Sequence, residues 1–249
     1  MFLKNSRISQ SRYYGVISFD DFKEVPEGRF QIMIDDVKYS CYFQPGSDYL
    51  YLFTTCAHNN DKRYPIFQRH SYYKHTDAMI LCIDDPSYFY NEKITNGWYI
   101  GTKDNDYCSD IAKIVIKITE ILSILLSHVI VFGSSSGGTA ALHIASKINH
   151  SNAVAINPQI LPLINKWTKC YHMQSGMNFE DFPERCNTID HIARVSKSII
   201  IYNDADESDG SQIDYLLDSF GINQRTIGPT QLTNNSFLWI YHAEGIPGG

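Results

Sequence analysis

Nowhere in its 249 residues does the chain hold an unbroken apolar run of the roughly 20 residues needed to cross a bilayer. Its N-terminus, MFLKNSRISQSRYYG, has no apolar segment of the signal-peptide kind. Both absences point to a cytoplasmic protein whose contact with membranes is at most peripheral. No CxxC pair occurs among the cysteines at 41, 56, 82, 108, 170 and 186. Paired metal-ligand spacing is therefore missing, no metal site is expected, and the thiols are read as buried and reduced. Positive charge is in deficit: 21 Lys and Arg against 27 Asp and Glu leave a net charge of -6. That excludes the broad basic footprint of a nucleic-acid binder. Repeats, low-complexity tracts and a convincing linker are also missing, which leaves one domain over residues 1–249 with a poorly defined first 28.

What is present is a strand and helix pattern. RFQIMIDD and VKYSCYFQP read as two strands joined by a tight acidic turn, and DYLYLFTT as a third. DAMILCIDD reads as a fourth, closed by Asp85-Pro86. Residues 107–127 carry apolar side chains at helical spacing, with Asp110 near the start. HVIVFG is a continuous apolar run of the central parallel-strand type. A helix over 137–148 follows, then the strands NAVAIN and SIIIYND, the helix GSQIDYLLDSFG and a last strand SFLWIYHAE that includes His242. Early strands in hairpin order followed by alternation predict an α/β fold. It has a mostly parallel sheet, antiparallel strands at its N-terminal edge and helices on both faces.

The chemistry concentrates in VIVFGSSSGGTA, residues 129–140. Gly133-Ser-Ser-Ser-Gly137 fits G-x-S-x-G with Ser135 at the centre, between a strand and a helix. Such a turn projects the serine hydroxyl at the carboxyl edge of the sheet, beside the free N–H groups of a helix start. A phosphate loop is the competing reading, since Gly133 to Gly138 has G-x-x-x-x-G spacing. The lysine that loop needs is replaced by Thr139-Ala140. A plain Ser/Gly turn is the other competitor, and the flanking strand and helix argue against it.

A serine nucleophile needs a base, and the base an orienting acid, in the order Ser, acid, His for this class. NDADESDG offers Asp204, Asp206, Glu207 and Asp209. Asp206, at the bend where the loop begins, is the first choice and Asp204 the second, with solvated helix capping as the bland alternative. His242 is the only histidine downstream, as base or as a structural or substrate-contacting residue. The oxyanion hole is expected to take one N–H from Ser136 and one from the Thr54-Thr55-Cys56 loop, with Thr55 preferred. His58, in that loop, is placed for substrate contact.

The phrases YPIFQRHSYY, IDDP, GWYIG, VFGSSSGG and INPQ, in that order, resemble α/β-hydrolase-like proteins of bacterial capsule and surface-polysaccharide loci. The chain is similar to their capsular polysaccharide O-acetyltransferases over residues 45–249. The resemblance implies a Ser-Asp-His triad with Ser135 as nucleophile and Asp206 as acid. It implies acetyl-CoA as acyl donor, no bound cofactor, and a carbohydrate or small acyl ester as substrate. It also places Asn157 and Gln159 at the strand end beside the elbow, and Trp98 in the pocket wall, where lid packing is the alternative. Arg69 would meet a phosphate or carboxylate, or lie on the surface. The family's histidine follows a Gly-Gly pair, and this sequence ends at Gly248-Gly249. The base is therefore His242 or a residue beyond Gly249. Transferase and esterase share these residues, and a non-catalytic binding module in glycan assembly or export is the remaining class.

Overall fold

A computed structural model describes residues 15–57, 65–90, 94–160, 177 and 181–245. Ten strands form one sheet: β1 (Val16–Ser18), β2 (Gly28–Ile34), β3 (Val37–Gln44), β4 (Ser47–Thr54), β5 (Ala78–Ile83), β6 (Val129–Ser134), β7 (Asn152–Ile156), β8 (Lys197–Asn203), β9 (Gly228–Gln231) and β10 (Ser236–Tyr241). Their spatial order is β1-β2-β3-β5-β4-β6-β7-β8-β10-β9. The pairs from β5 through β4, β6, β7 and β8 to β10 are parallel. Antiparallel pairing is confined to β2–β3, β3–β5 and the β10–β9 edge. The antiparallel start expected from the sequence is present. β1 and the short edge strand β9, whose Gly228-Pro229 opening hides the pattern, were not anticipated.

The β2–β3 hairpin turns on Asp35, whose φ of 49° suits a two-residue loop matched to strand twist. The helices are α1 (Ser87–Tyr90), α2 (Tyr107–Leu122), α3 (Ser136–Ala145), α4 (Pro183–Cys186), α5 (Thr188–Arg194) and α6 (Glu207–Ser219). α2 starts where the Asp106 side chain accepts the Ser109 N–H at 3.0 Å, satisfying an otherwise orphaned first-turn donor. It stops at Leu122, not 127, because Ser123 turns left-handed at φ 55° and the chain re-enters β6 through a 3-10 turn, Leu126–His128. The buried stripe Ile111, Ile114, Val115 and Ile118 joins the main core with Leu52, Val131, Ala155 and Ile200.

β10 ends at Tyr241, which corrects the expectation that His242 lies on the last strand. The physical cause is Asn203. Its side-chain amide donates to the Ala243 carbonyl at 2.9 Å and accepts the Ala243 N–H at 3.0 Å, drawing the chain out of the ladder. Five described cysteines are unpaired, four of them buried; Cys170 lies outside the described residues. No described helix is long and apolar enough to cross a membrane.

α3 is held to α5 by a buried histidine pair. The His143 and His191 rings stack with centroids 3.9 Å apart. His143 meets the Thr188 hydroxyl at 3.0 Å, and His191 bridges the Ser146 hydroxyl at 2.6 Å and the Glu184 carbonyl at 2.8 Å. Burial depresses both, His191 from 6.5 to about 4. The folded state therefore binds fewer protons than the unfolded chain between those values. This contribution to stability is complete above pH 6.5 and is lost as pH falls toward 4, on the order of 3 kcal/mol for His191. Urea titrations from pH 8 to 4 should show the loss, and His143→Leu/His191→Leu should flatten that slope whatever its stability at pH 8.

Candidate active site

Ser135 sits between β6 and α3 at φ 52° and ψ −126°, a conformation that costs of order 1–3 kcal/mol for a non-glycine residue. Its neighbours enforce it. The Ser135 N–H donates to the Ile156 carbonyl at 2.9 Å, and its carbonyl accepts the Thr139 N–H at 3.2 Å. A Cβ on Gly133 would lie 2.1 Å from the Gly137 carbonyl oxygen and 2.3 Å from Thr54 Oγ1. A Cβ on Gly137 would press on the Thr55 carbonyl oxygen at 2.9 Å. Both glycines of the pentapeptide are thus steric necessities. The Thr54 hydroxyl clamps the turn from β4 by donating to the Gly137 carbonyl at 2.7 Å. The serine is partly exposed at the carboxyl edge, and no hydrogen bond joins its hydroxyl to another described residue.

Ser136 opens α3, where first-turn N–H groups have no intrahelical acceptor. Its own hydroxyl accepts the Ala57 N–H at 3.1 Å, tying the loop after β4 to the helix. Thr55 is a correction. Its N–H is already donated to the buried Tyr99 hydroxyl at 2.6 Å, and that hydroxyl in turn donates to the Ile83 carbonyl at 2.7 Å. Next in the loop, the Cys56 N–H goes to Gln68 Oε1 at 3.1 Å. None of these three loop donors is free for an oxyanion.

The Tyr99 strut rests on buried acids. Asp85 accepts the Ser87 and Tyr99 N–H groups, both at 2.9 Å, and so holds Trp98 and Tyr99 at φ 50° and 57°. Asp84 accepts the Ile66 N–H at 2.8 Å. Burial pushes Asp84 up to about 8 and Asp85 to about 6, against the lowering effect of those N–H groups.

Asp204 and His242 come together: His242 Nδ1 lies 2.7 Å from Asp204 Oδ1. The Asp204 N–H also donates to the Tyr241 carbonyl at 2.9 Å, so the pair crowns adjacent strands β8 and β10. The second nitrogen of His242 faces Glu244 at 3.8 Å. Asp206, the first choice for the acid, is half-buried beyond this pair. Asp209 in the first turn of α6 is 7% exposed, and burial together with Asp206 pushes it up to about 7. β10 lies three strand positions from β6, and among the described residues the polar partners of His242 are Asp204 and Glu244, not Ser135.

Asn157 follows Ile156, the partner of Ser134 in the β6–β7 ladder. It stands at φ 45°, is 5% exposed, and its Oδ1 is buried without a hydrogen-bond partner among the described residues. Gln159 Oε1 accepts from the Trp98 indole at 2.6 Å and from Asn96 at 3.3 Å. Trp98 is 1% exposed in a small core with Tyr88, Ile94 and Ile100, so it packs the interior and does not line an open wall. His58 lies outside the described residues, as do Gly248 and Gly249. Arg69 is no loose surface residue. It is left-handed at φ 61°, donates to the Ser134 hydroxyl at 2.8 Å and stacks over Phe132. Sequence reasoning missed Asn203, Asp85, Gln68 and the strut role of Tyr99. Only Asp85, flagged by its Asp-Pro end, carried a local signal.

No protein-family model matches the chain, and no curated protein matches it in sequence. Solved structures do match in fold. The capsule O-acetyltransferase of Neisseria meningitidis serogroup A superposes with a TM-score of 0.63 at 15% identity, covering 85% of this chain and 88% of that one. A chain of the Glycosylation Associate Protein (Gap123) complex from Streptococcus agalactiae gives 0.60 at 15% identity, covering 86% of this chain and 42% of that one. Thermogutta terrifontis esterase 2, phosphonylated by sarin, gives 0.58 at 14% identity, covering 87% and 82%. The fold is α/β-hydrolase-like.

Tyr99→Phe removes one hydroxyl and leaves the Thr55 N–H and the Ile83 carbonyl buried and unpaired. The expected cost is about 2–4 kcal/mol in urea unfolding. A loss below about 0.5 kcal/mol would show that the strut carries no strain of the elbow loop.

Proposed function

We propose that the chain is a serine-dependent acyl-transfer enzyme of the O-acetyltransferase or esterase type, acting on a bacterial surface polysaccharide. The observation that carries this reading is the strained posture of Ser135 at a helix start, partly exposed at the carboxyl edge of the sheet. The similarity in fold to a capsule O-acetyltransferase and to an esterase that accepts a phosphonyl group supports the same chemistry.

In this reading the Ser135 hydroxyl gives its proton to His242 Nε2 and its oxygen attacks the acyl carbonyl of an ester or of acetyl-CoA. The oxyanion develops against the Ser136 N–H at the positive end of α3. His242 then protonates the departing oxygen or sulfur, leaving an acyl-Ser135 ester. A sugar hydroxyl or water, deprotonated by the same imidazole, attacks the ester and frees the serine. Asp204, which already meets Nδ1, takes the orienting role first assigned to Asp206. The bond from Ser135 to His242 forms in this reading with substrate bound, since catalytic hydrogen bonds in substrate-free sites are often long or poorly aligned. The Asn157 side-chain oxygen, buried with no hydrogen-bond partner among the described residues, is the polar group this reading assigns to the acceptor.

A second reading, a non-catalytic binding module in glycan assembly, is favoured by one observation: His242 is turned to Asp204 and Glu244, not to Ser135. Acetyl release from acetyl-CoA, with and without an oligosaccharide acceptor, separates the two. Ser135→Ala should abolish turnover with folding intact. Asp204→Asn should cost at least about 100-fold, and Asp206→Asn under threefold. No turnover by the parent chain with either acceptor would leave the binding module; turnover unaffected by Ser135→Ala would remove that serine from the chemistry, and a larger loss in Asp206→Asn would return the acid role to Asp206.

A further inference from the structure

The loop after β4 brings three successive backbone N–H groups up to the elbow, and their acceptors differ in kind. The Thr55 N–H goes to the Tyr99 hydroxyl, which is buried and bonded onward to the Ile83 carbonyl. The Ala57 N–H goes to the Ser136 hydroxyl, also buried. Packing fixes both acceptors. The Cys56 N–H goes instead to a half-buried side chain, Gln68 Oε1 at 3.1 Å.

Gln68 is anchored at its backbone and loosely held at its tip. Its carbonyl accepts the Cys82 thiol at 3.5 Å. Two residues earlier the chain is pinned at both polar groups of Ile66: the carbonyl accepts the Thr55 hydroxyl at 3.0 Å, and the N–H goes to Asp84 at 2.8 Å. Among the described residues, the Gln68 side-chain Nε2 meets only the Cys56 sulfur, at 3.1 Å, and sulfur is a weak acceptor. Rotation about the side chain's own bonds therefore releases Cys56 while the loop stays in place.

The tip occupies a chemically valuable position. Ala57 is bonded to the first residue of α3, so Cys56, one residue earlier, stands beside the helix start whose Ser136 N–H meets the oxyanion. An oxyanion needs its donors at about 2.7–3.1 Å, and Gln68 Oε1 already lies at such a distance from the Cys56 N–H. We infer that Gln68 guards the oxyanion site: its amide oxygen holds the Cys56 N–H in the substrate-free chain and yields it to the negative oxygen formed when Ser135 attacks. This role rests on the acyl-transfer reading and adds a control to the same site. A neutral ester carbonyl is no better an acceptor than the glutamine amide and does not displace it. A hydrogen bond to a charged oxygen is roughly twice as strong, so the exchange becomes favourable only as charge develops. The guarded donor thereby favours the transition state over the bound ground state.

The test compares the rate at which a fluorophosphonate labels Ser135 in the parent chain, Gln68→Ala and Gln68→Glu, since the phosphoryl oxygen takes the oxyanion position. Removing the guard should speed labelling about fivefold, the equivalent of one neutral hydrogen bond. The carboxylate of Gln68→Glu has the same reach and grips the Cys56 N–H harder, so labelling should slow at least about tenfold. A side chain that merely braces the loop gives another pattern: Gln68→Ala slows and Gln68→Glu stays near the parent. Spectra of the chain carrying 15N-cysteine supply a second reading. Of the six cysteine amides, that of Cys56, identified by its loss in Cys56→Ser, should move downfield most when the parent is phosphonylated. Should Gln68→Ala fail to fold, the Gln68→Glu rate and the Cys56 shift decide. With Ser135 labelled, a Gln68→Ala rate at or below the parent's, a Gln68→Glu rate near it, or an unmoved Cys56 amide overturns the guard and leaves the acyl-transfer reading standing. Ser135 unlabelled in every chain overturns both.

Discussion

α3 can start where it does only because two stretches of backbone come closer than any side chain allows. The Gly137 carbonyl lies against Gly133 where a Cβ would stand, and Thr54 reaches across from β4 to bond that same carbonyl. This contact pins the first turn of the helix to the ends of two strands. Ser135 has no ordinary conformation left to it, and its hydroxyl is pushed to the rim of the sheet. The neighbouring loops are arranged around that contact. Ser136 captures the Ala57 N–H, Tyr99 captures the Thr55 N–H, and Asp85 holds Tyr99 from beneath. Remove the close approach and the elbow relaxes into a normal helix start, with a serine that points nowhere in particular.

Much of this was legible in the chain. Apolar alternation and continuous apolar runs located β2 to β8 and β10, because burial on one or both faces writes those patterns directly. The glycine spacing around Ser135 was legible for the same reason: a steric demand this severe leaves no other residue type. Which acid of the loop meets His242 was not. Asp204 and Asp206 differ by two positions in an acid-rich loop, and what separates them is the reach of His242, which depends on where β10 ends. That end is set by Asn203 bonding the Ala243 backbone, a contact between residues 40 apart with no local signature. The preference for Thr55 failed similarly. Whether a backbone N–H is free depends on a tyrosine brought from residue 99, and sequence gives no hint of that partner. The bond from the Trp98 indole to Gln159 joins residues 61 apart and was equally hidden.

The two ends of the sheet's function are physically distinct. The carboxyl edge is polar and over-determined, with strained residues at Trp98, Tyr99, Ser135 and Asn157 each held by identified partners. Strain of that kind persists only where the surroundings compensate it, and it clusters where chemistry is done. Away from that edge, β8 and β10 turn Ile199, Phe237 and Trp239 outward, 45%, 40% and 51% exposed among the described residues.

The central claim is that Ser135 is a nucleophile. The most direct measurement is intact-protein mass spectrometry after exposure to a fluorophosphonate, followed by peptide mapping. The account predicts one phosphonyl adduct per chain, located on Ser135 and not on Ser134 or Ser136. An unmodified chain, or an adduct spread over several serines, would contradict it.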